Sequence, residues 1–307
     1  MKRTAVSIKN LDYTYPNSKK VLDNVNMEVF EGEKITIMGP NGAGKTTLLL
    51  HLNGTLKTSN SDNVYIFEQA ISSMNIKDRI QYVGILFEDP DDQLFMPTVY
   101  DDVAFGPYNM GLDKKEVDKR VKKSMTRVGL QGFENEVPQH LSTGQKKKVA
   151  LAAVISMEPK ILVLDEPTAN LDPKSKSEII SFIKELNEKE GITTIIATHD
   201  VNTISYLTDR VYVLNEKIVA SGTPHDIFSN PELLKQFNLE APDPLKIFRM
   251  LECFGYDSKN HPLSINEAAE NLINAMQENG DVMNLQMDKD AYENIKQLVN
   301  LYTYHPF

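Results

Sequence analysis

The stretch Gly39-Pro40-Asn41-Gly42-Ala43-Gly44-Lys45-Thr46 decides the fold of this chain. It fits the pattern G-x-x-x-x-G-K-[ST], in which glycines let main-chain N–H groups point inward around phosphate oxygens. A short apolar run, 34–38, precedes it, and the helix-forming segment 45–50 follows it. Because the pattern requires a strand before the loop and a helix after it, the sequence predicts a phosphate-binding loop.

Three devices at the end of this loop are expected to hold a phosphate chain. The helix N-terminus supplies a partial positive charge, Lys45 supplies a full one, and the Thr46 hydroxyl can ligate Mg²⁺. The helix is predicted to stop at Asn53-Gly54, which is suited to a C-cap. A glycine-rich turn with a chance lysine is the alternative, and the flanking strand and helix disfavour it.

The second motif is an apolar strand that ends in two carboxylates, Ile161-Leu162-Val163-Leu164-Asp165-Glu166. We expect Asp165 to lie beside the phosphate loop and to hold Mg²⁺. Glu166 points the other way by strand alternation, and it could orient or deprotonate an attacking water. The alternative is a strand that ends in a solvated acidic turn, which is much less favoured beside a phosphate loop.

The rest of the chain alternates between strand-like and helix-like segments. The apolar runs 161–164 and 192–197 flank a helical stretch, 177–190, and so predict a βαβ unit with strands buried on both faces. Apolar residues at helical spacing predict an amphipathic helix over 113–130. Ser264-Ile265-Asn266-Glu267 is a capping-box sequence ahead of a predicted helix, 268–276.

Length and charge exclude several classes of protein. The 307 residues suggest roughly two domains, and the formal net charge of −10 argues against a nucleic-acid binder. Much of the acidity lies in residues 225–307, which hold 13 Asp+Glu against 6 Lys+Arg. Cys253 is the one cysteine, so we expect no intramolecular disulfide and a reducing compartment. No signal peptide or membrane-spanning run is predicted.

Four further motifs carry a family resemblance. Leu141-Ser142-Thr143-Gly144-Gln145 is similar to the LSGGQ signature of ATP-binding-cassette (ABC) ATPases, and it precedes Asp165-Glu166 by the family's usual interval. Ala169-Asn170-Leu171-Asp172 resembles the D-loop, and Thr198-His199-Asp200 resembles the switch-histidine loop. Tyr15 matches the aromatic residue that stacks on adenine in this family. The motifs follow the family order over residues 10–200.

The resemblance implies an α/β fold of the P-loop NTPase (ABC ATPase) class. Its expected parts are a RecA-like core sheet, an antiparallel β subdomain, a helical signature subdomain over about 88–155, and a small, mainly helical C-terminal extension. We therefore expect an ATP-binding cassette over residues 1–224. The extension, 225–307, is expected to serve dimerisation or regulation.

The resemblance also implies ATP and Mg²⁺ as cofactors and assigns roles to individual residues. Catalysis is assigned to Glu166 and His199, and metal binding to Thr46, Asp165 and Glu88. The expected nucleotide contacts are Tyr15, Gly39, Pro40, Asn41, Gly42, Ala43, Gly44, Lys45, Thr46, Thr47, Ser142, Thr143, Gly144, Gln145 and Asp172. The signature helix is predicted over 145–155, and its N-terminus is a second device for holding an anion.

Two positions depart from the family pattern. Thr143 replaces the first signature glycine, which adds a Cβ where the backbone approaches phosphate, so we expect altered efficiency. Glu88 stands where the family usually has the Q-loop glutamine; a carboxylate can still ligate Mg²⁺, but it adds negative charge. Gln93 is a conceivable substitute, although its position fits the family's subunit-contact segment better.

The segments 89–95 (DPDDQLF) and 101–107 (DDVAFGP) resemble the energy-coupling-factor ATPases of cobalt/nickel and vitamin importers. The resemblance implies a second cassette, identical or paralogous, a transmembrane coupling subunit, and a membrane subunit that captures the substrate. It also implies a peripheral location on the cytoplasmic face of the cell membrane. The function that the resemblance implies is ATP hydrolysis that drives uptake of a divalent metal ion, cobalt or nickel. A vitamin importer, a soluble ABC ATPase without a transporter, and a protein whose main activity lies in the C-terminal extension stay open as alternatives.

Overall fold

The computed structural model describes residues 2–16, 19–57, 63–256, 261–278 and 291–302. The chain forms two units, one made of Met1–Thr198 with Tyr212–Val219 and the other of His199–Val211 with Ala220–Phe307. The domain boundary predicted between residues 224 and 225 stays a prediction.

Ten strands in the described residues form two sheets. The four-stranded sheet has the order β2-β1-β4-β5 with antiparallel pairs, and the six-stranded sheet has the order β10-β9-β3-β8-β7-β6. The strands are Thr4–Thr14 (β1), Lys20–Phe30 (β2), Lys34–Met38 (β3), Val64–Ile66 (β4), Gln69–Ala70 (β5), Val83–Leu86 (β6), Ile161–Asp165 (β7), Thr193–Ala197 (β8), Arg210–Asn215 (β9) and Lys217–Gly222 (β10).

Twelve α-helices lie in the described residues, six of them before β8 along the chain. They are Lys45–Leu52 (α1), Ile76–Tyr82 (α2), Val99–Asn109 (α3), Lys114–Arg127 (α4), Thr143–Ile155 (α5), Pro173–Glu190 (α6), Val201–Leu207 (α7), Pro224–Phe228 (α8), Pro231–Gln236 (α9), Asp243–Glu252 (α10), Ile265–Glu278 (α11) and Ala291–Tyr302 (α12).

Parallel pairing in the six-stranded sheet brings the predicted motifs to one edge. β6 pairs with β7, β7 with β8, and β8 with β3, all in parallel. Every residue of β7 and β8 is buried, as the continuous apolar runs predict for strands covered on both faces. Because the carboxyl ends of parallel strands meet, the loop after β3 lies near Asp165 at the end of β7.

The α/β class, the antiparallel sheet and the helical subdomain are confirmed. In the helical subdomain, α3, α4 and α5 pack against one another. The amphipathic helix predicted over 113–130 is α4, which begins after the N-cap Asp113. The predicted start of the signature helix at Gln145 was two residues late, because Ser142 is the N-cap and Thr143 already belongs to the helix.

The second unit is helical in its described residues beyond Gly222, as expected for the extension. Half of the predicted capping box forms at α11: the Ser264 hydroxyl accepts from the Glu267 N–H at 3.2 Å. The Glu267 carboxylate accepts instead from the Leu263 N–H, at 2.8 Å. Within the described residues, no helix combines the length and apolar character needed to cross a membrane.

Candidate functional site

The loop between β3 and α1 has a backbone that glycine alone fits well. Gly42 and Gly44 have φ angles of +78° and +98°, in the left-handed region that disfavours a Cβ. Gly39 is required for space, since a Cβ there would lie 2.1 Å from the carbonyl oxygen of Leu214. The tight loop ends at Gly44, where α1 begins, as the phosphate-loop pattern predicts.

Lys45, the first residue of α1, spans this loop with its side chain. Its ammonium donates to the carbonyl oxygens of Gly39 at 2.7 Å and Pro40 at 3.1 Å. Burial lowers the pKa of Lys45, while the nearby carboxylates, first Glu166, oppose that shift. The half-buried Lys45 ammonium thus lies at the mouth of the loop, where phosphate oxygens would bind.

Thr46 and Asp165 meet although 119 positions separate them in the sequence. The Thr46 hydroxyl donates to Asp165 Oδ2 at 2.6 Å, and the Asp165 side chain is buried. Burial raises the pKa of Asp165, and the hydrogen bond from Thr46 opposes this rise. The structure therefore brings together the hydroxyl and carboxylate that the sequence predicts as magnesium ligands.

Glu166 lies at a strained backbone position directly after β7. Its φ of +43° falls in the left-handed region, which is uncommon for a residue with a Cβ. The Thr198 hydroxyl donates to Glu166 Oε2 at 2.9 Å, and the Glu166 N–H donates to the Ala197 carbonyl oxygen at 2.9 Å. These contacts fix a carboxylate at the end of the strand, as a general base requires.

A cleft of about 630 Å³ adjoins the Thr46–Asp165 pair. Its lining includes Glu88, on the loop after β6, and Thr143, the first residue of α5. The structure thus places three predicted metal ligands, Thr46, Asp165 and Glu88, around one cleft. Glu88 is exposed there, and its assignment stays a prediction.

The oxygen ligands of this cleft fit Mg²⁺. A hydroxyl and one or two carboxylates, completed by phosphate oxygens and water, are the set that Mg²⁺ prefers in nucleotide sites. The described residues contain no group of three or more His, Cys, Asp or Glu side chains able to enclose a metal by themselves.

The signature segment 141–145 is built as a helix start. Ser142 Oγ accepts from the Gln145 N–H, and Gln145 Oε1 accepts from the Ser142 N–H at 2.9 Å, which closes a capping box. Gly144 lies against α6, because a Cβ there would be 2.8 Å from Ser175 Oγ. The capping contacts give Ser142 and Gln145 a structural role in addition to the predicted nucleotide contact.

Two other predicted residues, Tyr15 and Asp172, have defined surroundings. The Tyr15 hydroxyl lies 3.2 Å from Thr47 Oγ1 of α1, so this aromatic ring is next to the phosphate-loop helix. Asp172 caps α6, accepting from the Lys174 and Ser175 N–H groups, and the hydrogen bond from the Ser175 hydroxyl lowers its pKa. His199 belongs to the second unit, and its role stays a prediction.

Sequence reasoning missed Lys147, which is 1% exposed in α5. Its ammonium donates to the main-chain carbonyl oxygens of Phe87, at 3.3 Å, and Glu88. Burial lowers the pKa of Lys147, and among the carboxylates that oppose this shift Glu88 has the largest effect. No local pattern singles it out, because Lys146 and Lys148 likewise precede buried apolar residues, Ala150 and Ala152, by four positions.

Gln93 also has a clear position. Its side-chain amide donates to the Ile85 carbonyl oxygen at 3.4 Å and its Oε1 accepts from the Phe87 N–H at 3.3 Å. It therefore braces the main chain on either side of β6's end. The structure assigns the cleft-lining position to Glu88.

Comparison with known proteins agrees with this site. Residues 22–169 match the family described as "ABC transporter". The energy-coupling factor transporter ATP-binding protein EcfA of Methanothermobacter thermautotrophicus is 44% identical over 274 residues, which cover 88% of this chain and 87% of that protein.

Two solved structures share the fold. The structure of cbiO1 from Clostridium perfringens, described as part of the ABC transporter complex cbiONQ, has 39% identity and a TM-score of 0.66, covering 77% of this chain and 95% of that one. The ATP-binding cassette MJ0796, in a dimeric post-hydrolysis state bound to ADP and Pi, has 29% identity and a TM-score of 0.65, covering 71% and 98%.

Proposed function

Since the chain belongs to the ATP-binding subunits of ABC transporters, in their energy-coupling-factor branch, we propose that its ATP hydrolysis drives uptake of a divalent metal ion, cobalt or nickel, through a separate membrane subunit. Members of this family bind ATP with Mg²⁺. The same role in a vitamin importer is the alternative. The relative cbiO1, described as part of the complex cbiONQ, supports an importer built from several subunits.

One observation carries the coupling proposal: an exposed aromatic pair beside the loop of Glu88. Phe95 and Phe105 are 61% and 42% exposed, and their ring centroids lie 5.0 Å apart. Leu94, the residue before Phe95, is instead buried in the core. Exposed aromatic side chains next to a nucleotide-sensing loop suit a docking groove for a helix of a membrane subunit.

Asp102, on α3, fixes the main chain at Phe95 and Met96. Its buried carboxylate accepts from the N–H groups of Phe95 and Met96, both at 3.1 Å. The loop that lines the cleft and the exposed pair are thus parts of one continuous, hydrogen-bonded segment. A change in the position of Glu88 on nucleotide binding would reach Phe95 along a short path.

In the proposed site, each group of residues has a separate task. Bound Mg²⁺ would neutralise phosphate charge, and Thr46 with Asp165 would hold it. Gly42, Gly44 and Lys45 would bind the phosphate chain. Glu166 would accept the proton of the attacking water, with Thr198 orienting its carboxylate.

The remaining assignments rest on the family resemblance. His199 would contact the γ-phosphate, and the signature segment 141–145 would close over ATP held by a second cassette, which the dimeric MJ0796 supports. Asp172 would link the two sites. The subunit would lie at the cytoplasmic face of the membrane, bound to the coupling subunit.

Reconstitution tests this proposal. We expect the chain to co-purify with a transmembrane coupling subunit and the assembled complex to accumulate labelled Co²⁺ or Ni²⁺ in vesicles when ATP is supplied. Uptake of a vitamin and not of metal would replace the metal proposal by the vitamin alternative. Association with ribosomes alone would overturn the transport role.

Phe95→Ala is the sharpest variant for the docking proposal. The exposed ring contributes little to the core, so ATP hydrolysis by the isolated protein should persist. Co-purification with the membrane subunit should fall strongly. Ile76→Ala is the matched control, because Ile76 is 70% exposed but lies on α2.

The extension 225–307 is proposed as a dimerisation or regulatory module. Its helices α10 and α11 expose the apolar side chains of Ile247, Ile265 and Ile273, at 55%, 74% and 54%. Removal of the extension should then change dimerisation or transport while ATP binding persists. Unchanged dimerisation and transport would contradict this role.

A further inference from the structure

Lys147 is a charged side chain in a place where charges are rarely found. It is 1% exposed, among the largest fully buried side chains of the described residues. Lysines are almost never fully buried unless they are paired, because desolvating an ammonium is costly. The contacts that compensate this cost therefore indicate what the residue does.

The first compensation is a pair of hydrogen bonds across two elements. Lys147 Nζ donates to the main-chain carbonyl oxygens of Phe87 and Glu88. It lies one turn after the start of the signature helix α5, whereas Phe87 and Glu88 belong to the loop after β6. The ammonium thus ties the signature helix to the main chain that carries Glu88.

The second compensation is electrostatic. Burial lowers the pKa of the Lys147 ammonium, and the carboxylates that oppose this shift are first Glu88, then Asp165 and Asp89. The cleft is lined by the carboxylates of Glu88, Asp89, Asp91, Asp92 and Asp165 and by two lysines, Lys146 and Lys147. A triphosphate bound at this cleft would face more carboxylates than ammonium groups, so the positive charge of Lys147, held against the Glu88 main chain, would lower the repulsion.

The neighbouring lysines of α5 pair with carboxylates, and Lys146 lines the same cleft as Lys147. Lys146 pairs with Asp91 at 2.7 Å, and Lys148 pairs with Glu178 of α6. Both of those side chains are more exposed than Lys147. Of the three consecutive lysines, Lys147 is the one whose ammonium reaches the main chain at Glu88.

We propose that Lys147 is a positioning residue for the nucleotide site: it braces the main chain at Phe87–Glu88 and supplies the fixed counter-charge that allows Glu88, in place of a neutral amide, to face a bound triphosphate. This inference rests on the proposed function only in requiring that the site bind ATP. It pairs Lys147 with Glu88, so removing the Lys147 charge should weaken triphosphate binding more when Glu88 is a carboxylate than when residue 88 is a neutral glutamine.

A double-mutant cycle with Lys147→Gln and Glu88→Gln tests the pair. Glutamine at 147 removes the charge and retains an N–H donor on a side chain one bond shorter, and the melting temperatures show whether the fold is maintained. The first measurement is equilibrium binding of a fluorescent ATP analogue carrying an N-methylanthraniloyl group, in EDTA. Without Mg²⁺, any role of Glu88 as a metal ligand drops out and its charge remains.

We expect Lys147→Gln to weaken binding of the analogue about tenfold when Glu88 is present. In the Glu88→Gln background, the same substitution should change affinity less than about twofold. Lys148→Gln, the adjacent control, should leave affinity unchanged in both backgrounds. Melting temperatures of all variants, measured alongside, report on folding.

Equal losses of affinity from Lys147→Gln in both backgrounds would overturn the pairing and leave Lys147 a residue of the fold alone. Hydrolysis with Mg²⁺ gives a second readout: the double variant should be faster than Lys147→Gln alone, and a slower double variant would contradict the proposal. Neither assay involves transport. A failure of metal uptake would therefore count against the proposed function and leave the pairing intact.

Discussion

Replacing Thr46 by valine removes one hydroxyl from the site at nearly constant volume. Asp165 Oδ2 then loses the donor that lies 2.6 Å away, and its side chain is only 4% exposed. A hydrogen bond to a charged group contributes about 1.5–3 kcal/mol. In a domain of roughly 150–250 residues, each kcal/mol corresponds to about 2–4 °C, so the melting temperature should fall by about 3–12 °C.

The sign of the pH dependence follows from the same contact. Burial raises the pKa of Asp165 and the Thr46 hydroxyl lowers it, so the variant should have a still higher pKa. The lost hydrogen bond stabilises the ionised carboxylate. The stability deficit of Thr46→Val should thus be full above the pKa of Asp165 and shrink as the pH falls through it.

Differential scanning calorimetry of the nucleotide-free protein measures this effect at about pH 8 and about pH 5. Thr46→Ser is the matched control, because it keeps the hydroxyl and should melt close to the wild type. If Thr46→Val and Thr46→Ser melt alike at both pH values, the Thr46–Asp165 bond does not hold the site together. Mg²⁺-dependent ATP binding should also be lower in Thr46→Val.

Three further predictions concern the neighbouring residues. Lys45→Ala should weaken ATP binding by about 10- to 150-fold in equilibrium titrations, since a charged hydrogen bond contributes about 1.5–3 kcal/mol. Ser142→Ala should lower the free energy of unfolding by about 0.5–2 kcal/mol even without nucleotide, because Ser142 caps α5. Burial lowers the pKa of His51, so the folded state resists its protonation. The stability of the wild type relative to His51→Phe should therefore decrease as the pH falls below the ordinary pKa of histidine, measured by urea unfolding.

Each of these has its own control. Unchanged ATP affinity in Lys45→Ala would refute the phosphate-binding role of that side chain, and Lys148→Ala supplies the control for lost positive charge. Ser142→Thr should retain the cap; if it destabilises as much as alanine, capping is not the cause. A stability difference between the wild type and His51→Phe that is constant with pH would refute the account of His51.

The sequence predicted the parts of the site that local patterns encode. The glycines, Lys45 and Thr46 form one short motif whose strand and helix were both foreseen, and the apolar run before Asp165 predicted a buried parallel strand. The structure brings Thr46 and Asp165 into contact as expected. These inferences succeed because the carboxyl ends of parallel strands lie at the same edge of the sheet.

Features that depend on tertiary contacts were beyond sequence patterns. The brace from Lys147 to the Glu88 main chain joins segments 59 residues apart, and a lysine in a helix ordinarily suggests a solvated face. The Thr198 hydroxyl on Glu166 was likewise not foreseen. Helix α5 begins at Thr143 and not at the predicted Gln145, because the N-cap is Ser142 and not Gly144.

The role of Glu166 is the central claim about the chemistry, and Glu166→Gln tests it most directly. Glutamine retains an oxygen that can accept from Thr198, so folding and ATP affinity should stay close to those of the wild type. Single-turnover hydrolysis of ATP with Mg²⁺ should fall by about 10²–10⁴-fold, because the amide cannot accept a proton. Hydrolysis near the wild-type rate, with ATP still bound, would contradict the assignment of Glu166 as the general base.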